Sequence, residues 1–295
     1  MYKLIVIDLD GTLLNTEGNI SEENRLAINR AMNEGIKVII ASGRITMSVR
    51  NFALESGAYK YCISGNGSEI FDIENNRSLY SKYLSKNKVL NIVQICEENS
   101  ISFSIYTESG IITSDLAHNV LFYYHENKKK DNSEKVNINI VENISKYIKT
   151  SGVDKFLKFT ICDSDASVFS SIIRKLRAVR DVDVLDVGHA SRKTISVDNE
   201  KISIEYYYTE ITNKNINKWS ALEYLMLILN VEKEDIIAIG DNINDKEMIV
   251  NSGLGVVMGN SAPYIKNFAD IVVSDNNNNG VAEIIEKILN KNIDI

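Results

Sequence analysis

Two acidic residues, Asp8 and Asp10, follow a short apolar run at Leu4–Ile7. Residues two apart in an extended chain point to the same side, so these carboxylates should lie close together and repel each other. A bound divalent cation offsets such repulsion directly. Gly11 comes next, and a glycine lets the backbone turn tightly and approach a ligand. The alternative is a turn capped by acids, but a bare turn requires neither paired acids nor a flanking buried strand.

A second pair of acids, Asp241 and Asp245, follows another apolar run at 235–239. If both runs are parallel strands of one sheet, these acids meet Asp8 and Asp10 at the carboxyl edge of that sheet. Four carboxylates at one edge would be costly without a cation. Hard oxygen ligands, in a chain with only 3 histidines, favour magnesium over zinc. The pattern therefore predicts a Mg²⁺ site built from all four acids.

Two further turns are candidates for anion binding. Ser42, Gly43 and Arg44 follow the predicted strand 36–40, where a hydroxyl and free backbone amides at a strand-to-helix turn form a natural anion site. Arg44 could add a fork-shaped cationic donor. An ordinary helix cap by Ser42 is the alternative. Asn66 lies in a glycine-flanked turn after the next strand, which would present amide donors at the same edge.

A phosphate site also needs a fixed positive charge. Lys214 and Lys218 precede a helix that begins near Trp219, and spacing alone does not choose between them. Together these parts predict phosphoryl transfer to a carboxylate, which forms a covalent aspartyl-phosphate. The cation and a lysine would neutralise charge on the phosphoryl oxygens. A second carboxylate would protonate the leaving alkoxide and then activate a water molecule.

The elements that position these residues follow from apolar periodicity. In the N-terminal part, short apolar runs alternate with helix-like segments in the order β-α-β-α-β, which predicts an open parallel sheet with helices on both faces. The C-terminal part repeats this pattern. The middle differs, because 101–106 alternates with period two and 198–200 carries a hairpin signal. The sequence therefore predicts an α/β, Rossmann-like core at 1–83 and 207–295, interrupted by an α+β domain at 84–206.

Composition excludes several classes of protein. The net charge of -7, without a long basic stretch, argues against a nucleic-acid binder, which needs a positive face. No apolar run approaches the roughly 18 residues of a membrane span. Cys62, Cys96 and Cys162 are far apart and form no C-x-x-C pair, which favours a reducing cytoplasm over a disulfide framework or a zinc site. The expected partner is a small phosphate ester, and the sequence specifies no oligomeric state.

In combination and in order, these segments resemble the haloacid dehalogenase-like (HAD) superfamily, and within it the Cof-type phosphatases. The resemblance covers the four family motifs and most of both core segments. It is carried by Asp8–Thr12, Ser42–Arg44, the lysine segment Ile211–Lys218 and Gly240–Asp245, with Met258–Ser261 and Asn279–Ala282 further downstream.

The resemblance implies a role for each acid. Asp8 would be the nucleophile and a metal ligand. Asp10 would be the acid/base, with its backbone carbonyl on the metal. Asp241 would bind magnesium, and Asp245 would support the metal directly or through water.

The resemblance also implies the phosphate contacts. Ser42 and Gly43 would hold the phosphate, and Asn244 would contact it or orient its neighbours. The third family motif is a lysine that glycine usually follows. Lys218 fits the spacing best, although Trp219 follows it here. Lys214 stays the weaker candidate.

The inserted domain matches the family's large cap, which covers the active site, excludes water and selects the substrate. The implied function is a Mg²⁺-dependent phosphatase acting on small phosphorylated metabolites such as sugar phosphates. A phosphosugar mutase, which returns the phosphoryl group to the sugar, is the nearest alternative. A non-catalytic phospho-receiver or binding protein is another, but it would need neither Asp10 as an acid/base nor so large a cap.

Overall fold

The structure is a computed structural model that describes residues 2–128, 130–131, 135–185, 191–197 and 200–290. The chain divides into two compact units. The first combines the residues up to Ser81 with those from Asn217 onward, and Lys82–Ile216 form the second. The predicted inserted domain ends at residue 206, whereas the second unit continues to Ile216, because the strand Glu200–Asn213 stays in the sheet of that unit.

Fifteen strands occur in the described part of the chain. In chain order they are β1 (Leu4–Ile7), β2 (Lys37–Ala41), β3 (Tyr61–Ser64), β4 (Glu69–Asp72), β5 (Arg77–Ser81), β6 (Ser102–Thr107), β7 (Gly110–Thr113), β8 (Ile138–Ile140), β9 (Phe156–Asp163), β10 (Val182–Val184), β11 (Ser191–Val197), β12 (Glu200–Asn213), β13 (Ile236–Gly240), β14 (Leu254–Val257) and β15 (Ile271–Val272).

The described residues also form ten α-helices. They are α1 (Glu22–Asn33), α2 (Thr46–Ser56), α3 (Lys86–Glu98), α4 (His118–Asn127), α5 (Ile144–Thr150), α6 (Ala166–Arg177), α7 (Lys218–Leu229), α8 (Lys246–Asn251), α9 (Pro263–Lys266) and α10 (Gly280–Leu289). Each of these helices falls short, in length or in apolar character, of what a membrane span requires.

The first unit is built on an eight-stranded sheet with the order β15-β14-β13-β1-β2-β3-β4-β5. The strands from β15 to β3 are parallel. Side chains alternate between two cores: Ile5 and Ile7 pack with α1 and α10, and Leu4 and Val6 pack with α7. A parallel strand covered on both faces must be apolar throughout, which explains the continuous runs in the sequence. The predicted parallel sheet with helices on both faces is confirmed.

The hairpin of β4 and β5 was not predicted and extends this sheet with two antiparallel strands. Its connecting turn is stabilised by Asp72, whose carboxylate accepts hydrogen bonds from the backbone and side-chain nitrogens of Asn75 at 3.1 and 2.8 Å. Asn76 adopts a positive φ of 49°, a conformation that asparagine tolerates. The exposed strand β5 lacks the apolar run that identifies buried strands, so periodicity did not reveal it.

The second unit has its own sheet, with the order β10-β12-β9-β6-β7-β8 and β11 paired to β12. All pairs are antiparallel except β7 with β8, which is parallel. One sheet face is apolar and packs with α3, α5 and α6 through a separate core. The predicted α+β character is confirmed. Strands β11 and β12 pair as an antiparallel hairpin, but the predicted turn residues Asp198 and Asn199 lie outside the described residues.

Strand register in the first unit brings three predicted site loops to one edge. Ile7 at the end of β1 lies between Ile40 of β2 and Ile239 of β13. The next residue, Asp8, donates its backbone N–H to the carbonyl of Ile239 at 3.0 Å. The loops after β1, β2 and β13 therefore start side by side at the carboxyl edge of the sheet, where open α/β sheets bind ligands.

Candidate active site

Three carboxylates meet at this edge. One oxygen from each of Asp8, Asp241 and Asp245 lies within 4.8 Å of the others, and no other acid, histidine or cysteine of the described chain joins the group. Asp8 and Asp245 are buried and Asp241 is partly exposed. We call these three residues the acid cluster. The set fits a hard divalent cation, because it offers only oxygen ligands and an excess of negative charge.

Backbone contacts hold the acid cluster in place. The carboxylate of Asp245 accepts hydrogen bonds from the backbone nitrogens of Asp241 and Asn242 at 3.0 and 3.1 Å. Asp245 lies in a short 3-10 turn, Ile243–Asp245, that connects β13 to α8. A Cβ at Gly240 would lie 2.5 Å from that of Asp245, so only glycine fits at this strand end. The loop thus turns one acid inward to organise its own backbone.

Lys218 places a positively charged side chain against the acid cluster. Its ammonium donates to Asp8 and, at 2.6 Å, to Asp245, and its side chain is 1% exposed. It is the first residue of α7, whose N-cap Asn217 forms a reciprocal capping box with Ser220. Because the residue after the lysine is inside a helix, Trp219 is accommodated where the family usually has glycine.

The charges of the cluster shift each other's ionisation. Burial, followed by the charge of Asp245, raises the pKa of Asp8 from 3.8 to about 7. Burial and the charge of Asp8 raise the pKa of Asp241 well above 3.8. Burial alone would lower the pKa of Lys218, but the carboxylates of Asp245 and Asp8 raise it above 10.5. One ammonium therefore faces three carboxylates, which leaves the cluster short of positive charge.

Gly11 and Thr12 place the loop after β1 against Asp241. Gly11 has a φ of +80°, and a Cβ there would lie 2.3 Å from Oδ2 of Asp241. The Thr12 hydroxyl donates to Oδ1 of the same carboxylate at 3.3 Å. Gly11 is therefore required both for its backbone conformation and for this close approach. Sequence reasoning did not assign Thr12 a contact, although it lies inside the first motif.

The carboxylate of Asp10 lies outside the acid cluster. It accepts hydrogen bonds from Nε and Nη2 of Arg44 at 2.8 and 2.7 Å, and its side chain is 53% exposed. The Arg44 guanidinium lies over the ring of Phe52 at 5.2 Å and donates to Ser48 at 3.4 Å. Three of the four predicted acids thus form the cluster, and Arg44 binds the carboxylate of the fourth. Arg44, which the sequence places at the phosphate, contacts this acid.

The two predicted anion turns lie next to each other. Ser42 is buried, and its hydroxyl accepts the backbone N–H of Arg44 at 3.2 Å, while Gly43 lies in the bend between them. The backbone N–H of Asn66 donates to the carbonyl of Ser42 at 3.1 Å. The side-chain oxygen of Asn66 accepts from Asn244 at 3.2 Å. The structure thus brings the proposed phosphate contacts from three different loops to one edge.

The weaker lysine candidate belongs to the other unit. Lys214 is exposed and pairs with Asp183 at 3.0 Å within the second unit. Only Lys218, of the two lysines, contacts the acid cluster. Sequence spacing could not separate them, since the difference depends on where β12 ends and α7 begins.

Comparison with known proteins gives a family match along almost the whole chain. A family profile described as haloacid dehalogenase-like hydrolase matches residues 5–285. The chain is 29% identical to the phosphatase YwpJ of Bacillus subtilis, over 97% of this chain and 100% of that protein. It is 31% identical to the 5-amino-6-(5-phospho-D-ribitylamino)uracil phosphatase YcsE of the same organism, over 96% of this chain and 94% of that protein.

Solved structures agree with this match. A haloacid dehalogenase-like hydrolase from Bacteroides thetaiotaomicron superimposes with a TM-score of 0.75 at 28% identity, covering 98% of this chain and 100% of the other. A second such hydrolase, from B. subtilis, gives a TM-score of 0.78 at 25% identity, covering 96% and 99%.

Proposed function

The chain belongs to the haloacid dehalogenase-like hydrolase family and is a phosphatase, and on that basis we propose that it hydrolyses small phosphorylated metabolites through a phosphorylated Asp8, with Mg²⁺ as cofactor. Sugar phosphates and similar alcohol phosphates are the proposed substrate class. The observation that carries the proposal is the buried Asp8 carboxylate, which lies at a strand end beside Lys218 and two further acids.

Asp8 is the proposed nucleophile. Its carboxylate oxygen would attack phosphorus in line, forming a new O–P bond as the bond to the leaving oxygen breaks. The ammonium of Lys218 would shift from neutralising the acids to neutralising the phosphoryl oxygens. A water would then attack phosphorus, releasing inorganic phosphate and regenerating the carboxylate.

The proposed metal ligands are Asp8, Asp241 and Asp245, together with the backbone carbonyl of Asp10. When bound, Mg²⁺ would supply the positive charge that these carboxylates and the phosphoryl group require. The donor set of the acid cluster supports this choice, because carboxylate oxygens suit magnesium better than softer metals. The single positive charge of Lys218 cannot neutralise all three carboxylates.

Asp10 is the proposed acid/base. It would give a proton to the leaving alkoxide and later take one from the attacking water. Its exposure and its separation from the acid cluster suit a group that must reach the leaving oxygen. Arg44 would hold this carboxylate in place through two hydrogen bonds, so we assign Arg44 as a positioning residue for the acid/base.

The phosphate is proposed to bind at the Ser42–Gly43 turn beside Asn66 and Asn244. These loops supply a hydroxyl, amide side chains and backbone nitrogens at the edge where Asp8 lies. Gly11 would contribute its position in the loop next to the nucleophile, where its lack of a side chain lets Asp241 approach. These contacts would involve the phosphate and not the rest of the substrate, which supports phosphate monoesters as the substrate class.

The test is phosphate release from a chromogenic phosphate ester by wild type and Asp8→Asn. Wild type should depend on Mg²⁺ and lose activity in EDTA, and Asp8→Asn should be inactive. A matched control is Asp235→Asn, at the opposite end of β13, where the acid pairs with Lys3 at 2.6 Å. Equal activity of wild type and Asp8→Asn would show that the nucleophile is wrong.

A screen of phosphorylated metabolites would then define the substrate class. Released inorganic phosphate supports the phosphatase, whereas an isomerised sugar phosphate would identify a mutase. Absence of turnover on every ester, with retained binding of Mg²⁺ and phosphate, would favour a receiver or binding protein.

A further inference from the structure

Two asparagines from the C-terminal part of the first unit form hydrogen bonds with the loop that follows the proposed nucleophile. Asn260 donates from Nδ2 to the carbonyl oxygen of Gly11 at 2.9 Å. Asn276 donates from Nδ2 to the carbonyl oxygen of Leu14 at 2.8 Å. We call Asn260 and Asn276 the amide clamp. Both belong to segments that the proposed chemistry does not use.

The clamp is itself braced. The backbone N–H of Asn276 donates to Oδ1 of Asn260 at 3.2 Å, which ties the Asn260 side chain to the loop that carries Asn276. The loops that carry them, after β14 and β15, are joined by a bond from Gly259 N–H to the Ser274 carbonyl at 3.2 Å. A Cβ at Gly259 would lie 2.9 Å from the carbonyl oxygen of Val273, so the loops pack without space between them.

The peptide group that Asn260 holds links Gly11 to Thr12. Both residues adjoin Asp241: a Cβ on Gly11 would collide with one of its carboxylate oxygens, and the Thr12 hydroxyl donates to the other. A shift of this peptide would therefore move both contacts at once. The chain of contacts runs from the clamp, through one peptide group, to a member of the acid cluster.

We propose that Asn260 and Asn276 are positioning residues for Asp241: Asn260 holds the Gly11–Thr12 peptide against this acid and so sets its carboxylate relative to Asp8, and Asn276 holds the same loop at the Leu14 carbonyl. The proposal rests on the proposed function, in which these two acids hold Mg²⁺. Metal affinity depends on the outer partners that orient the ligands, and losing one such partner typically costs about 10- to 100-fold. The clamp gives the segment Met258–Ser261 a physical role outside the four motifs.

Asn260→Ala is the decisive variant, because Asn260 is exposed and its removal leaves no buried gap. Titration calorimetry of Mg²⁺ into the substrate-free protein should show binding about tenfold weaker than wild type. The kcat for a chromogenic phosphate ester at saturating Mg²⁺ should also fall, and the unfolding temperature should stay close to that of wild type. Asn276→Ala should weaken Mg²⁺ binding too, with an added loss of stability because Asn276 is 7% exposed.

The matched control is Asn278→Ala in the same loop, whose side chain donates to Asp275 at 2.9 Å. It should keep the Mg²⁺ affinity and kcat of wild type. Unchanged Mg²⁺ affinity in Asn260→Ala would overturn the proposal and leave the clamp a loop-closing contact only. So would a wild-type protein that binds no Mg²⁺. A wild type that binds Mg²⁺ but releases no phosphate would refute the proposed function while the clamp's effect on affinity still stands or falls by the titration.

Discussion

Each unit of the molecule buries a lysine against carboxylates, yet the two arrangements differ in charge balance. In the first unit, the Lys218 ammonium is shared by Asp8 and Asp245, and Asp241 adds a third acid. In the second unit, Lys158 on β9 pairs with Glu210 on β12, with side chains 5% and 12% exposed.

Among the described residues, the second pair lies beside neutral groups of the same sheet. The Lys158 ammonium lies over the Tyr106 ring at 4.8 Å from its centroid. On the sheet, Ser104 and Thr160 are paired neighbours, and Thr160 in turn pairs with Glu210. A buried lysine is therefore no sign of a site by itself. The excess of acid over base is what distinguishes the acid cluster, because only that excess calls for an added cation.

The largest effect is expected from Lys218→Met. The change removes the only ammonium that contacts the cluster among the described residues, so both the three acids and a bound phosphoryl group lose their neutralising partner. We expect kcat to fall by about 10²- to 10³-fold, as for loss of a key electrostatic donor. Steady-state phosphate release measures it. Activity within tenfold of wild type would remove Lys218 from the mechanism.

The same substitution in the second unit, Lys158→Met, should act on stability instead. It leaves the Glu210 carboxylate buried, which typically costs about 3–5 kcal/mol of unfolding free energy. The double variant Lys158→Met/Glu210→Leu should recover most of that loss, since it removes both charges. Urea denaturation measures both, and Mg²⁺ affinity should not change. A double variant as unstable as the single one would mean that the pair is more than a balanced structural contact.

The excess charge should also make the metal-free protein sensitive to pH. Because the pKa of Asp8 is raised from 3.8 to about 7, the folded state binds this proton more tightly than the unfolded state. The contribution of Asp8 to stability is thus full below about pH 4 and is lost as the pH rises through about 7. Asp8→Asn should therefore gain stability over wild type between pH 5 and 7.5, by on the order of 2–4 kcal/mol.

Denaturation in EDTA at several pH values measures this difference. Saturating Mg²⁺ should abolish it, because the cation supplies the missing positive charge. Parallel stability curves for the two proteins without metal would contradict the charge imbalance inferred for the acid cluster.

The smallest effect is expected at the pair of Arg44 and Asp10, next to the acid cluster. Arg44→Lys keeps the charge but loses the two-pronged geometry that binds Asp10. We expect kcat to fall by about tenfold, with a smaller change in inhibition by inorganic phosphate, because the role we propose for Arg44 is to position the acid/base rather than to bind the phosphate. A larger change in phosphate inhibition than in kcat would return Arg44 to the phosphate site.

Much of the core could be predicted from sequence because its signals are local. Strands buried on both faces must be apolar, so β1, β2 and β13 were visible as runs, and the meeting of the acids that follow β1 and β13 was predicted from strand direction. The exposed hairpin of β4 and β5 carries no such signal. Sequence spacing left the choice between Lys214 and Lys218 open for a related reason. The choice depends on where β12 ends, and no change in residue composition marks that point.

The sequence by itself determined which residue types follow each strand. It therefore predicted that carboxylates, the turn that carries the Ser42 hydroxyl and a lysine would meet at one edge of the sheet. Only the tertiary structure decided their pairing. Asp10 and Asp8 are two residues apart, yet Arg44 binds the first and Lys218 the second, because residues distant in sequence supply these cations. Side-chain partners depend on how the loops fold over the sheet edge, and local patterns contain no record of that packing.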